Sequence, residues 1–150
     1  MMASRRGRLP ATTRAGLGFL AAALSVLTFH AAMWWLLYKA DLMPPPYPMD
    51  PTPPFGVPVI GSLVFWGGLY GALFGLVLPR LRGPLPLWGF GLGLLACLVG
   101  WFIVAPLKGE TLAGGSLLVP IAINGFWGIG VGILAPWMMS RRRLAAASLS

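Results

Sequence analysis

His30 and Asn124 are the two side chains whose type and position could support chemistry, because both fall deep inside long apolar stretches. An ionisable or amide group at such a depth is a candidate functional residue, since polar groups are costly in hydrocarbon. A histidine could relay a proton, but a proton path usually also shows a buried carboxylate. The structural alternative is a neutral His30 that shares a hydrogen bond with Asn124, and we favour this alternative.

The two residues are expected at the same depth if their segments cross a bilayer as helices. His30 lies nine residues before Lys39, at the outer end of its apolar run, and Asn124 lies eight residues after Ser116. At a rise of about 1.5 Å per residue, both depths are roughly 12–13 Å. The sequence therefore predicts an intramembrane polar pair of His30 and Asn124.

The other reactive groups form no recognisable site. All three acids, Asp41, Asp50 and Glu110, fall between the apolar runs, where carboxylates are usually solvated. A zinc site needs three or four ligands and a haem held within one chain would take two, whereas the sequence has one histidine and one cysteine, Cys97. We therefore expect no catalytic residue, no metal and no cofactor.

The composition indicates a membrane as the solvent of this chain. Hydrophobic residues make up 57% and charged residues only 9%, against about 25% charged in soluble domains. The 21 glycines and 15 prolines lie among apolar residues, and membrane helices tolerate both types. The net charge of +8 is concentrated at the ends of apolar runs, so we expect a lipid bilayer and no nucleic acid as partner.

Four apolar runs are long enough to cross a bilayer as helices, for which about 20 residues suffice. They cover residues 16–38, 59–78, 86–106 and 117–138. The prediction is an all-α integral membrane protein with four transmembrane helices in a domain over 16–138. The other predicted segments are basic cytoplasmic tails at 1–15 and 139–150 and a proline-rich outer loop at 43–58.

The distribution of basic residues predicts the orientation. One side of the four runs carries Arg5, Arg6, Arg8, Arg14, Arg80, Arg82, Arg141, Arg142 and Arg143, whereas Lys39 and Lys108 lie on the other. By the positive-inside rule both termini are cytoplasmic, in a multi-pass protein of the bacterial inner membrane. The first run could instead be a signal peptide, but it is longer than the 7–15 residues of a typical apolar signal core, so we expect it to be retained.

A repeated motif suggests that the chain is a duplicated two-helix hairpin. The sequence Phe-Trp-Gly occurs at Phe65 and at Phe126, and each copy is followed by a glycine and two arginines at the same spacings. Each first helix also ends near a lysine and an acid. Chance is the alternative explanation. Duplication would give parallel repeats and a four-helix bundle with approximate two-fold symmetry.

Small residues are expected to mediate helix packing. On helical wheels, Gly67, Gly71 and Gly75 share one face of the second run, and Gly128 and Gly132 share a face of the fourth. Small residues four apart let two helix backbones approach closely. These faces could pack against other helices of the same chain. They could also bind a second copy of the protein or another membrane protein.

The proline-rich loop and the missing catalytic groups define the functional hypotheses. Eight prolines lie within residues 44–58, and the segment is either a stiff spacer, which we favour, or a docking strip for a periplasmic partner with Tyr47 and Phe55 as anchors. The leading hypothesis is a non-enzymatic packing, interaction or assembly component. The alternative is a small transporter or channel, acting as an oligomer.

Overall fold

The computed structural model describes residues 9–47, 49–52, 55–109 and 117–148 of the chain. Four helices are long and apolar enough to cross a membrane, which confirms the predicted all-α fold with four membrane-length helices. They are α1 (Ala11–Lys39), α2 (Val59–Arg80), α3 (Leu85–Leu107) and α4 (Leu118–Ala147). Helix α4 continues beyond the predicted end of its apolar run, so the Arg141–Arg143 cluster is helical.

The first helix of each hairpin is interrupted by a π-helical segment. In α1 it spans Val26–His30, and in α3 it spans Gly100–Val104. Helix α2 instead ends in a 3₁₀ turn at Leu78–Arg80, where Pro79 interrupts the α-helical pattern. A π segment accommodates one extra residue and is frequent at functional sites. The segment in α1 determines where His30 sits.

The helices pack in the spatial order α2, α1, α4, α3. Extensive contacts join α1 to α2 and α3 to α4, so each hairpin is a tightly packed unit. The two hairpins meet mainly along α1 and α4, and we call this interface the closed seam. Helices α2 and α3 make only slight contact with each other, and we call the space between them the open side.

Glycines allow the two helices of each hairpin to touch backbone to backbone. A Cβ atom at Gly71 would overlap the Gly18 carbonyl, and one at Gly75 would overlap the Arg14 carbonyl. In the second hairpin, a Cβ atom at Gly128 would overlap the Gly89 carbonyl. The crossing of each hairpin therefore requires glycine, as expected where helices approach this closely.

Two other glycines of the predicted packing faces have different neighbours. A Cβ atom at Gly132 would overlap the Leu85 carbonyl, so this glycine also lies at a backbone contact of the second hairpin. Gly67 lies against side chains instead, those of Val26 and Trp127. The glycine faces of α2 and α4 are thus covered by the chain itself.

The described part of the proline-rich loop folds back along α1, where it contacts Trp34 and Val26. Two short strands, β1 (Pro51–Thr52) and β2 (Val57–Pro58), pair antiparallel. Within them the Thr52 hydroxyl donates a hydrogen bond to the Val57 carbonyl at 2.6 Å. The indole Nε1 of Trp34 donates to the Pro44 carbonyl at 3.0 Å, which fastens the start of the loop to α1.

Candidate functional site

All four helices contribute to one cavity of about 120 Å³ inside the protein. Its polar and aromatic lining residues are His30 from α1, Ser62, Trp66 and Tyr70 from α2, and Asn124 and Trp127 from α4, while α3 contributes Ala96. The two residues that the sequence singled out for chemistry therefore face one space. The cavity lies where α2 and α3 diverge, against the closed seam.

His30 is almost completely buried and lacks a hydrogen bond at one ring nitrogen. Its exposed fraction is 6%, and its Nδ1 atom is covered without a partner. The ring stacks on Tyr47 at a centroid distance of 6.3 Å and meets the edge of Trp34 at 5.8 Å. Because Nδ1 is covered, any hydrogen bond from this ring into the cavity must involve Nε2.

Tyr47 enters this aromatic cluster from the proline-rich loop. Its backbone has φ of +55°, a left-handed conformation that is uncommon outside glycine. The hydroxyl donates a hydrogen bond to the Val26 carbonyl at 2.7 Å, at the first residue of the π segment. Tyr47 therefore anchors the loop to α1.

Asn124 makes its hydrogen bond within its own helix. The side-chain Nδ2 donates to the Pro120 carbonyl at 3.0 Å, and the same carbonyl lies 3.4 Å from the Cys97 Sγ atom. No hydrogen bond joins Asn124 to His30 in the described ranges of the chain. Both side chains nevertheless line the same cavity, and the intramembrane polar pair stays a prediction.

The closed seam seals one side of the cavity with satisfied polar groups. The Trp127 indole, 2% exposed, donates to the Ala22 carbonyl at 3.1 Å. In return, the Ser25 hydroxyl donates to the Trp127 carbonyl at 2.7 Å. Gly130 leaves room for Ser25 and for the ring of Phe29. These contacts cross from one hairpin to the other and hold the hairpins together.

The opposite side of the cavity is less protected. Trp66 lines the cavity from α2 and is 59% exposed. Helix α3, which would have to cover it, contributes only Ala96 to the lining. The cavity is therefore accessible from the open side, and a molecule could enter there between α2 and α3.

The charged residues within the described ranges lie away from this cavity, near the helix ends. The predicted topology residues Arg80, Arg82, Arg141, Arg142 and Arg143 are all exposed. Asp41 and Asp50 are exposed as well, and Glu110 lies outside the described residues. Among the residues that the structure describes, no three His, Cys, Asp or Glu side chains come together to hold a metal ion.

The sequence pointed to His30 and Asn124 but not to the surroundings that give them a common space. Ser62, Tyr70 and Trp66 join them because they lie on the same face of α2. The insertion of Tyr47 has no sequence signal, since it follows from one left-handed residue in a proline-rich segment. Comparisons with protein-family models, curated proteins and solved structures found no match.

Proposed function

We propose that this chain is a non-enzymatic, multi-pass protein of a bacterial inner membrane that binds a partner at its outer face. Four membrane-length helices support the membrane location. Antiparallel packing brings Arg14, Arg80, Arg82 and the Arg141–Arg143 cluster to one end of the helices, opposite Lys39 and Lys108. This separation supports cytoplasmic termini by the positive-inside rule.

The observation that carries the proposal is the anchored outer loop. Tyr47 and Trp34 fasten it to α1, and the short β-hairpin orders the segment that follows. Phe55, beside the turn of this hairpin, is 87% exposed, and Met49 is 70% exposed. A pre-ordered loop that presents large apolar side chains loses little conformational entropy when a partner binds. Aromatic residues and methionine are also enriched in protein interfaces.

The glycine faces are a less suitable docking surface. Gly71 and Gly128 are buried in contacts within the chain, so a second helix cannot reach them without separating a hairpin. The partner surface that we propose is therefore the loop around Phe55, and the expected partner is a periplasmic protein or the outer face of another membrane protein.

Cysteine labelling tests the orientation. In a Cys97→Ser background, which removes the single native cysteine, we expect Asp50→Cys to react with a membrane-impermeant maleimide added to intact spheroplasts. Arg82→Cys should react only after the membrane is permeabilised, because the arginine end faces the cytoplasm. If only position 82 were labelled from outside, the orientation would be the opposite of the proposed one. The loop would then lie in the cytoplasm, where a periplasmic protein cannot bind it.

Site-specific crosslinking tests the partner. A photoreactive amino acid at Phe55 should give a discrete protein adduct in cells, whereas the same group at Phe102, which is 66% exposed on α3, should react mainly with lipid. In the Phe55→Ser variant, the crosslinked partner should no longer co-purify with this protein. The melting temperature of the purified protein should not change. Turnover of a lipid or peptide by the pure protein, or identical adducts from both positions, would contradict the proposal.

A small transporter or channel is the second candidate, and the cavity shared by both hairpins favours it. Its polar groups His30, Ser62, Tyr70 and Asn124 face one space between helices. At about 120 Å³, however, this space is far smaller than a transmembrane path. Solute flux in proteoliposomes that depends on Asn124 would support transport over partner binding.

A further inference from the structure

The residues that line the cavity on the open side restrict the kind of molecule that can bind there. Among the residues that the structure describes, no Asp, Glu, Lys or Arg lines it. Ser62 and Tyr70 make no hydrogen bond through their hydroxyls within the described ranges, and His30 makes none through its ring. The lining is thus neutral and carries several polar groups without partners in the chain.

The unpartnered groups argue against a purely apolar or an anionic occupant. An apolar ligand would leave the His30 ring and the hydroxyls of Ser62 and Tyr70 desolvated without hydrogen bonds, which is costly. A phosphate or carboxylate would lack a cationic partner, since no lysine or arginine lines the cavity. The suitable occupant is neutral and offers oxygen atoms that accept hydrogen bonds.

The size and walls of the cavity restrict the shape of the occupant. An apolar protein cavity of about 150 Å³ holds one benzene molecule, so a space of about 120 Å³ with an open side suits a single six-membered ring. The indole rings of Trp66 and Trp127 contribute aromatic surface to the lining, against which a flat ring can stack. Trp66 stands at the open side, where an attached chain would leave the protein.

We propose that the open side binds the head-group of a membrane quinone, with the quinone ring in the cavity and its apolar tail between α2 and α3 in the lipid. The carbonyl oxygens accept hydrogen bonds from the His30 Nε2–H and from the Tyr70 hydroxyl. The proposal concerns binding alone. It is independent of the partner surface around Phe55, which lies on the outer loop.

Nuclear magnetic resonance of the full-length protein in lipid nanodiscs gives a direct test, because His30 is the only histidine. With ¹⁵N-histidine labelling, a decyl-tailed dimethoxybenzoquinone should shift the imidazole signals in a saturable way. A decyl-tailed benzene with methyl groups in place of the carbonyls should not, since it cannot accept a hydrogen bond.

Variants extend the test to the other side chains. Tyr70→Phe and His30→Phe should each weaken binding of the benzoquinone about 5- to 10-fold, the expected effect of one lost hydrogen bond, as measured by tryptophan quenching. Phe102→Leu, on the lipid-facing side of α3, should leave the affinity unchanged. Tyr70→Phe keeps the test valid if His30→Phe does not fold.

Three outcomes would overturn the proposal. The first is an imidazole signal that no quinone shifts, which would mean that the cavity holds water only. The second is an equal shift by the carbonyl-free compound. The third is quenching that does not saturate and is identical in Tyr70→Phe and in Phe102→Leu, which would indicate simple partitioning into the lipid.

Discussion

The two copies of the Phe-Trp-Gly motif have opposite environments. Trp127 is 2% exposed and hydrogen-bonded across the closed seam, whereas Trp66 is 59% exposed at the open side. If the chain were a symmetric pair of hairpins, the α1–α4 interface and the α2–α3 interface would be equivalent. Only the first of these interfaces is packed. The difference shows that a repeated sequence does not determine burial when only one of two related interfaces closes.

The helix crossings agree at one position of the motif and differ at another. Six residues after the Phe, Gly71 and Gly132 each lie against a backbone carbonyl of the partner helix. Two residues after the Phe, Gly128 again lies against backbone, whereas Gly67 lies against the side chains of Val26 and Trp127. The two hairpins are therefore not identical in their packing, and duplication of the hairpin stays a prediction.

The largest expected effect is the loss of a hairpin crossing. Gly71→Leu and Gly128→Leu should each destabilise the protein by more than about 3 kcal/mol, because the new side chain would collide with backbone carbonyl groups. Both should reduce the yield of monodisperse protein in mild detergent and lower its melting temperature. This result would show that the two hairpins depend on glycine equally.

Matched substitutions on the lipid-facing sides are the controls for this comparison. Leu73→Ala in α2 and Ile133→Ala in α4 remove side chains that are 60% and 44% exposed, and should have little effect. If Leu73→Ala is as damaging as Gly71→Leu, the assignment of the packing face of α2 is wrong.

Substitution of the two tryptophans should have smaller effects on stability, and the two effects should differ in size. Trp127→Ala should cost about 3 kcal/mol, since it leaves a large cavity in the closed seam and removes the hydrogen bond to Ala22. Trp66→Ala should cost less than about 1 kcal/mol because the ring is mostly exposed. The measurement is the unfolding free energy in mixed micelles. Similar costs for both changes would mean that the open side closes in the membrane.

The smallest effect concerns the loop anchor. Tyr47→Phe removes the hydrogen bond to the Val26 carbonyl and should destabilise the protein by about 1 kcal/mol. It should also increase hydrogen exchange in the proline-rich loop while α4 stays unchanged. Tyr38→Phe, a tyrosine near the end of α1, provides the matched control, and equal exchange rates in both variants would argue against the anchor.

The sequence predicts the four helices but does not predict how they are arranged. Apolar runs of about 20 residues predict membrane helices because length and hydropathy alone decide crossing, and glycines four residues apart predict close helix contacts. The same patterns cannot show which helices become neighbours. Nor do they reveal that α2 and α3 stay apart, because this depends on side-chain fit along the whole α1–α4 interface.

The candidate site could likewise be predicted from the sequence only in part. His30 and Asn124 were recognisable because polar residues in apolar runs are rare. The position of His30 in their common cavity, however, follows from the π segment of α1 and from the stacked ring of Tyr47. Neither has a reliable local signature, since π segments and left-handed tyrosines are uncommon outcomes of tertiary contacts.

The division into two self-contained hairpins has a consequence for how the protein is made. The backbone contacts at Gly18 and Gly71 lie wholly within the first half of the chain, so that hairpin can close during synthesis, before α3 and α4 leave the ribosome. The second hairpin closes on its own glycines in the same way. If each hairpin closes first, lateral docking of the two hairpins completes the assembly. The cavity is lined by residues of both hairpins, so it is absent from either half alone.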